Sequence, residues 1–137
     1  VNQSLCKEAK KHGIKIVSPK ELLFKKVDIL SPCALGGIIN KKTISKLNCK
    51  IIAGGANNQL ENETQDEKRL LKRKIIFIPD FVLNVAGFMQ ALIEREGGTV
   101  EEARRKSKIV GEKISLIINH SQKHRKTLLE SAIELFG

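Results

Sequence analysis

Apolar positions along the chain recur with two alternating periods, and the changes of period fall at Gly, Pro and Ser. Gln3 to His12 has the spacing of the end of a helix, closed by Gly13 where a left-handed residue is needed. Ile14 to Val17 is then a short β-branched run, the first predicted strand. Ser18-Pro19-Lys20-Glu21 combines a capping Ser, a first-turn Pro and a Glu three residues on, so a short helix starts at Pro19 with Leu22 and Leu23 on its buried side. Val27 to Leu30 predicts a second strand, stopped by Ser31-Pro32 because proline cannot donate to a ladder. Thr43 to Leu47 has room for one helical turn, and Lys50 to Ala53 predicts a third strand running into Gly54-Gly55. Thr64 with Glu67 forms a capping box for a helix over Gln65 to Lys72, and Ile75 to Ile78 is the fourth strand.

After Pro79 the period stays helical. Val82, Val85, Ala86, Met89 and Ile93 recur up to Gly97-Gly98. Thr99 with Glu102 caps a helix to about Asn119, and Leu128, Leu129, Ala132, Ile133 and Phe136 mark the apolar stripe of the last one. Strands separated by helices predict an α/β protein with a parallel sheet covered on both faces.

Ligands of such sheets bind outside the carboxyl ends of the strands. Three predicted strands end there in polar loops: residues 31–37, 54–60 and 79–84. Glycines in the first two permit close backbone approach to a flat or anionic ligand, and Asn57, Asn58 and Asn84 each offer amide donors and an acceptor. Tight turns alone would explain any one loop; three loops at one edge point to a site.

Composition narrows the classes. A chain of 137 residues, 41% apolar and 29% charged, is one ordinary globular domain able to bury a core without disulfides. No apolar run approaches the roughly 18 residues that cross a bilayer, and Val1 to Lys11 lacks a signal-peptide core. Cys6, Cys33 and Cys49 are odd in number without CxxC spacing, against a disulfide framework or zinc ribbon, so a cytoplasmic setting is expected. The net charge of +10 is spread: residues 1–26 carry +5, residues 27–60 +3, residues 61–80 zero and residues 81–137 +2. The densest cluster, Arg104-Arg105-Lys106-Ser107-Lys108, lies opposite apolar positions 100, 103, 110, 114 and 117 and is a solvated helix face. With few aromatics to stack on bases, nucleic-acid and membrane partners are not expected. His120 and His124, four apart, have the spacing to share a metal but lack a third ligand nearby, so no metal is expected.

The residues Asp28-Ile29-Leu30-Ser31-Pro32-Cys33-Ala34-Leu35-Gly36-Gly37-Ile38-Ile39-Asn40, Ile51-Ile52-Ala53-Gly54-Gly55-Ala56-Asn57-Asn58-Gln59-Leu60 and Pro79-Asp80-Phe81-Val82-Leu83-Asn84 resemble three segments of the glutamate/leucine/phenylalanine/valine dehydrogenase family, most closely its leucine dehydrogenase branch. The resemblance implies a partial Rossmann-like parallel sheet with C-terminal helices. Residues 1–80 would be a partial dinucleotide-binding domain and residues 81–137 the helices completing it. It implies reversible, NAD-dependent oxidative deamination of an amino acid, leucine or another branched-chain residue first, to a 2-oxo acid and ammonia, in a homo-oligomer. Carried over residue by residue, Asn57 would bond the nicotinamide ribose, Asn84 the carboxamide, and the Cys33, Ala34 and Leu35 backbone would pass beside the nicotinamide half. Val82 and Val85 would line the substrate side-chain pocket. Cys33 is expected as a loop-packing residue, with no basic neighbour to lower its pKa.

The family's Gly-x-Gly-x-x-Gly turn, its ribose-holding acidic residue and the domain carrying its catalytic lysines and aspartate are not in these residues. No catalytic residue is therefore assigned within the chain, the isolated chain is expected to be inactive, and NAD is not distinguished from NADP. The family reads Ala-Gly-Gly where this chain has Val85-Ala86-Gly87, adding methyl groups that crowd the nicotinamide or the substrate. Two other classes compete: a non-catalytic truncated oligomerisation module and a basic RNA-associated domain.

Overall fold

The computed structural model describes residues 2–137. Asn2 caps α1 (Gln3–Lys11) by accepting from the Ser4 and Leu5 amides, and Gly13 takes φ +75° as its spacing demanded. Ile14 to Val17 is not a strand. Its backbone pairs with no strand among the described residues, and Ile14 and Ile16 stay exposed. A β-branched run becomes a strand only when a ladder satisfies its amides, and here no neighbour supplies one. Ser18 Oγ accepts from the Lys20 amide at 3.3 Å and opens α2 (Pro19–Leu22). Leu23 packs against the core as expected, but Leu22 remains exposed.

The sheet has three strands among the described residues, not four: β1 (Ile29–Leu30), β2 (Ile51–Ile52) and β3 (Ile76–Phe77), all parallel in the order β1-β2-β3. The register aligns Ile29, Ile51 and Ile76 on one face and Leu30, Ile52 and Phe77 on the other. The second face is closed by Ile39, Ile44, Leu47, Leu60 and Leu70 from the connections, each 4% exposed or less. Burying a side chain of this size contributes about 1.5–3 kcal/mol. The first face is only partly covered: Ile29 is 59% and Ile76 48% exposed. The expected two-sided cover is thus complete on one face and partial on the other, while α3 (Lys41–Ile44) and α4 (Glu63–Lys72) pack with one another and α4 packs with β3.

Both connecting helices start two residues earlier than predicted. Asn40 accepts from the Lys42 and Thr43 amides while Thr43 Oγ1 accepts from the Asn40 amide at 2.9 Å, a complete capping box. Asn62, rather than Thr64, caps α4 through the Gln65 amide, and Asp66 accepts in return from the Asn62 amide at 2.9 Å. Glu67 is thereby released from capping its own helix.

Past Pro79 the chain forms α5 (Asp80–Leu83), α6 (Val85–Arg95), α7 (Val100–Ser107), α8 (Ile109–His124) and α9 (Leu128–Phe136). Thr99 caps α7 as expected, but the single helix predicted to Asn119 divides at Lys108, where tighter three-residue bonds run Lys108 to Arg105 and Gly111 to Lys108. The second half continues to His124 and ends at Arg125 with φ 55°. Val82, Ile117 and Ala132 form a second buried cluster. Glu67 Oε1 accepts from the Leu129 amide at 2.8 Å and fastens α4 to the start of α9. No helix among the described residues is long and apolar enough to cross a membrane.

Candidate cofactor-binding edge

Because the three strands are parallel, the loops that leave them emerge on one edge. They are also bonded to one another. The Ala56 amide donates to Pro32 O at 2.9 Å, and the Gly37 amide donates to Asn58 O at 2.8 Å, joining the first loop to the second. This approach explains two glycines. A Cβ on Gly54 would collide with the Pro32 main chain, and one on Gly36 would sit 2.9 Å from Asn58 O.

The third loop closes on the second through a side chain. Asn84 Nδ2 donates to Asn57 Oδ1 at 2.9 Å and lies 3.2 Å from both Gly55 O and Ala56 O. The two asparagines expected to contact different parts of a ligand therefore contact each other first. Their donor and acceptor roles are fixed as a result: the Asn57 Nδ2 donors and the Asn84 Oδ1 acceptor remain without a protein partner among the described residues.

Underneath, Gln59 is fully buried. Its Nε2 donates to Gly54 O at 2.8 Å and Ala56 O at 2.9 Å, and its backbone amide donates to Asp80 Oδ2 at 3.0 Å. Gln59 and Asp80 lie within the segments that carry the family resemblance, and the sequence assigns them no role. The one available signal was a carboxylate in the first turn of a helix, which the helix dipole explains equally well.

Cys33, Ala34 and Leu35 are all exposed along the first loop, Leu35 at 71%. The Cys33 thiol lies 3.4 Å from Ser31 Oγ, and hydrogen bonding to that hydroxyl, with the Gly55 backbone second, holds its pKa below the ordinary thiol range. The lowering therefore comes from neutral groups, not from the basic neighbour whose absence argued for an unperturbed thiol. Val85 is half-buried beside Asn84. Val82, expected along the substrate side-chain pocket, is 4% exposed and packs against Ile117 and Ala132.

At the far end of the C-terminal helices, the His120 and His124 rings stack at 4.3 Å, and His120 Nε2 lies 3.7 Å from Glu134 Oε2. Lys126 also pairs with Glu134 and lowers its pKa. Among the described residues no group of three His, Cys, Asp or Glu side chains is placed to hold a metal ion.

A parallel sheet whose carboxyl edge gathers neutral amide groups and close-packed glycine loops defines an α/β protein with a candidate ligand site at that edge. The chain belongs to the glutamate/leucine/phenylalanine/valine dehydrogenase family, whose model matches residues 1–134. It is 44% identical over 104 residues to an L-tryptophan dehydrogenase of Nostoc punctiforme, covering 75% of this chain and 30% of that protein. A leucine dehydrogenase of Thermoactinomyces intermedius is 40% identical over 102 residues, covering 74% of this chain and 28% of that protein. The crystal structure of L-tryptophan dehydrogenase from Nostoc punctiforme superposes with a TM-score of 0.92 at 36% identity, covering 98% of this chain and 42% of that one. The chain thus spans about 30% of the length of the curated relatives it matches.

Proposed function

We propose that this chain forms the nicotinamide side of the cofactor cleft of an amino acid dehydrogenase, which deaminates an amino acid oxidatively to its 2-oxo acid and ammonia. The observation that carries the reading is the Asn57–Asn84 couple at the carboxyl edge of the sheet. Its residual chemistry fits the nicotinamide half of a dinucleotide. Asn57 offers N–H donors to a ribose hydroxyl oxygen, and Asn84 offers an acceptor to the carboxamide N–H. NAD, when bound, would accept the hydride released from the amino acid α-carbon. Asn57 and Asn84 would set the plane of the ring, and the open Cys33 to Leu35 backbone would flank it. Positioning of this kind is the protein's main contribution to cofactor chemistry.

Val85 stands beside Asn84 and would limit the volume left for the substrate side chain. Leucine and other branched-chain amino acids are the first substrates to test, with tryptophan and phenylalanine next, since relatives named for those substrates match at comparable identity. The reading places the protein in the cytoplasm as a homo-oligomer. Among the described residues of the three loops only Cys33 and Asp80 carry an acidic or basic side chain, and the Asp80 carboxylate is buried against the Gln59 backbone amide, so acid-base chemistry would come from another domain.

NADH formation is the test. The chain alone should give none with leucine, valine, phenylalanine, tryptophan or glutamate. The same residues substituted for their counterpart in the Nostoc L-tryptophan dehydrogenase should restore turnover. Turnover by the chain alone would show that the acid-base assignment is wrong, and a folded but inactive chimera that binds no NAD would refute the reading.

A further inference from the structure

We propose that Asp80 and Gln59 are positioning residues that hold the Asn57–Asn84 couple in its paired geometry. The proposal rests on the reading of that couple as the nicotinamide-facing pair. The loop from Gly54 to Asn57 is gripped from two sides. From below, Gln59 Nε2 bonds Gly54 O and Ala56 O, bracketing Gly55. From above, Asn84 Nδ2 reaches Gly55 O, Ala56 O and Asn57 Oδ1. Asp80 joins the two grips. Its carboxylate accepts from the Gln59 backbone N–H at 3.0 Å, and its backbone oxygen accepts from the Asn84 backbone N–H at 2.8 Å. One residue therefore sets the height of both asparagines relative to the loop between them.

The burial pattern argues that these contacts serve more than packing. Gln59 is fully buried, yet its Oε1 has no protein partner among the described residues, and an unpaired buried polar atom costs free energy that an apolar side chain of the same volume would avoid. What the amide provides in return is two donors aimed at the carbonyls that flank the glycine. A glutamate there would present two acceptors to those carbonyls, and a methionine would present none. Asp80 is 7% exposed and bonded to a backbone amide rather than to a cation, the arrangement of a clamp on the main chain.

The test uses the isotopically labelled chain with Asp80→Ala, Asp80→Asn and Gln59→Met. Two signals are read by NMR: hydrogen exchange of the Asn84 side-chain amide, and NAD affinity by titration. Asp80→Ala should speed the exchange and weaken NAD binding by about tenfold each, as expected when one buried hydrogen bond is lost. Asp80→Asn keeps an oxygen acceptor for the Gln59 amide and should restore both to within about threefold. Gln59→Met matches the volume, should fold even where Asp80→Ala does not, and should reproduce the Asp80→Ala changes. A purely structural role would lower the melting temperature while leaving the Asn84 exchange and NAD affinity of the folded protein unchanged; that result, or failure of Asp80→Asn to rescue, overturns the proposal. If the unaltered chain binds no NAD, the nicotinamide reading falls, while the Asn84 exchange still decides the positioning role.

Discussion

At the scale of single residues, a side-chain amide has few bonds to give, and what it spends on the protein it cannot offer a ligand. Asn84 spends its donors on Asn57, Gly55 and Ala56, which leaves an acceptor for a ligand. Asn57→Ala and Asn84→Ala should each lower the rate of NADH formation in the chimera by about five- to a hundredfold, the effect of losing one polar contact worth about 1 to 3 kcal/mol in the transition state. Circular dichroism should show the fold intact, because Asn57 is exposed and Asn84 half-buried. Gly54→Ala should act differently. Its Cβ meets the Pro32 main chain, not a movable side chain, so we expect a loss of about 1–3 kcal/mol in urea unfolding. The sequence pointed to both asparagines and to the glycine loop. It did not show that the asparagines bond each other, since residues 27 positions apart meet only in the folded chain. Nor did it show that Val82 faces the core, because helical spacing cannot tell which neighbour an apolar face will find.

At the scale of elements, caps were the most legible feature, because their atoms lie within four residues of one another. Ser18 and Thr99 cap where their sequences indicated. The reciprocal box of Thr127 and Glu130 at α9 carries the same signature, a Thr with a Glu three residues on, ahead of the apolar stripe. At α4 Asn62 caps in place of the expected Thr64, with Asp66 reciprocating. The consequence reaches across the molecule, since Glu67 turns to the Leu129 amide instead. Burial pushes the Glu67 carboxyl up, against the opposing hydrogen bonds of Thr127 and Leu129 and with the like charges of Glu130 and Glu63 adding to the rise. A carboxyl raised in the folded state keeps its proton to higher pH than in the unfolded chain. Stability from this group therefore falls as pH rises from the ordinary glutamate value through the raised one. Glu67→Gln keeps an oxygen for Leu129 without the charge and should flatten that decline in a pH series of urea unfolding curves. Glu67→Ala leaves a buried amide unpaired and should cost about 1–3 kcal/mol throughout.

At the scale of the whole molecule, the spread of its +10 charge makes a specific expectation. Duplex DNA or RNA should bind weakly and release by physiological salt, since isolated lysines neutralise few phosphates at once. Retention of a sequence-selective complex in a salt titration would favour the RNA-associated class instead. The parallel order of the sheet and the common edge of its loops were legible, because short β-branched runs alternating with helices allow little else. Local sequence by itself determined the caps of α2 and α7, the turns, the helix stripes and the candidate residues of the site, all properties of atoms close along the chain. Tertiary structure alone decided four matters. Ile14 to Val17 lacks a ladder among the described residues and leaves Ile14 and Ile16 exposed, one face of the sheet remains partly open, Glu67 fastens a distant helix, and Gln59 with Asp80 sits under the asparagine couple. Each depends on which surface stands opposite, and a strand edge, a buried carboxylate or a paired amide acquires its role only from that partner.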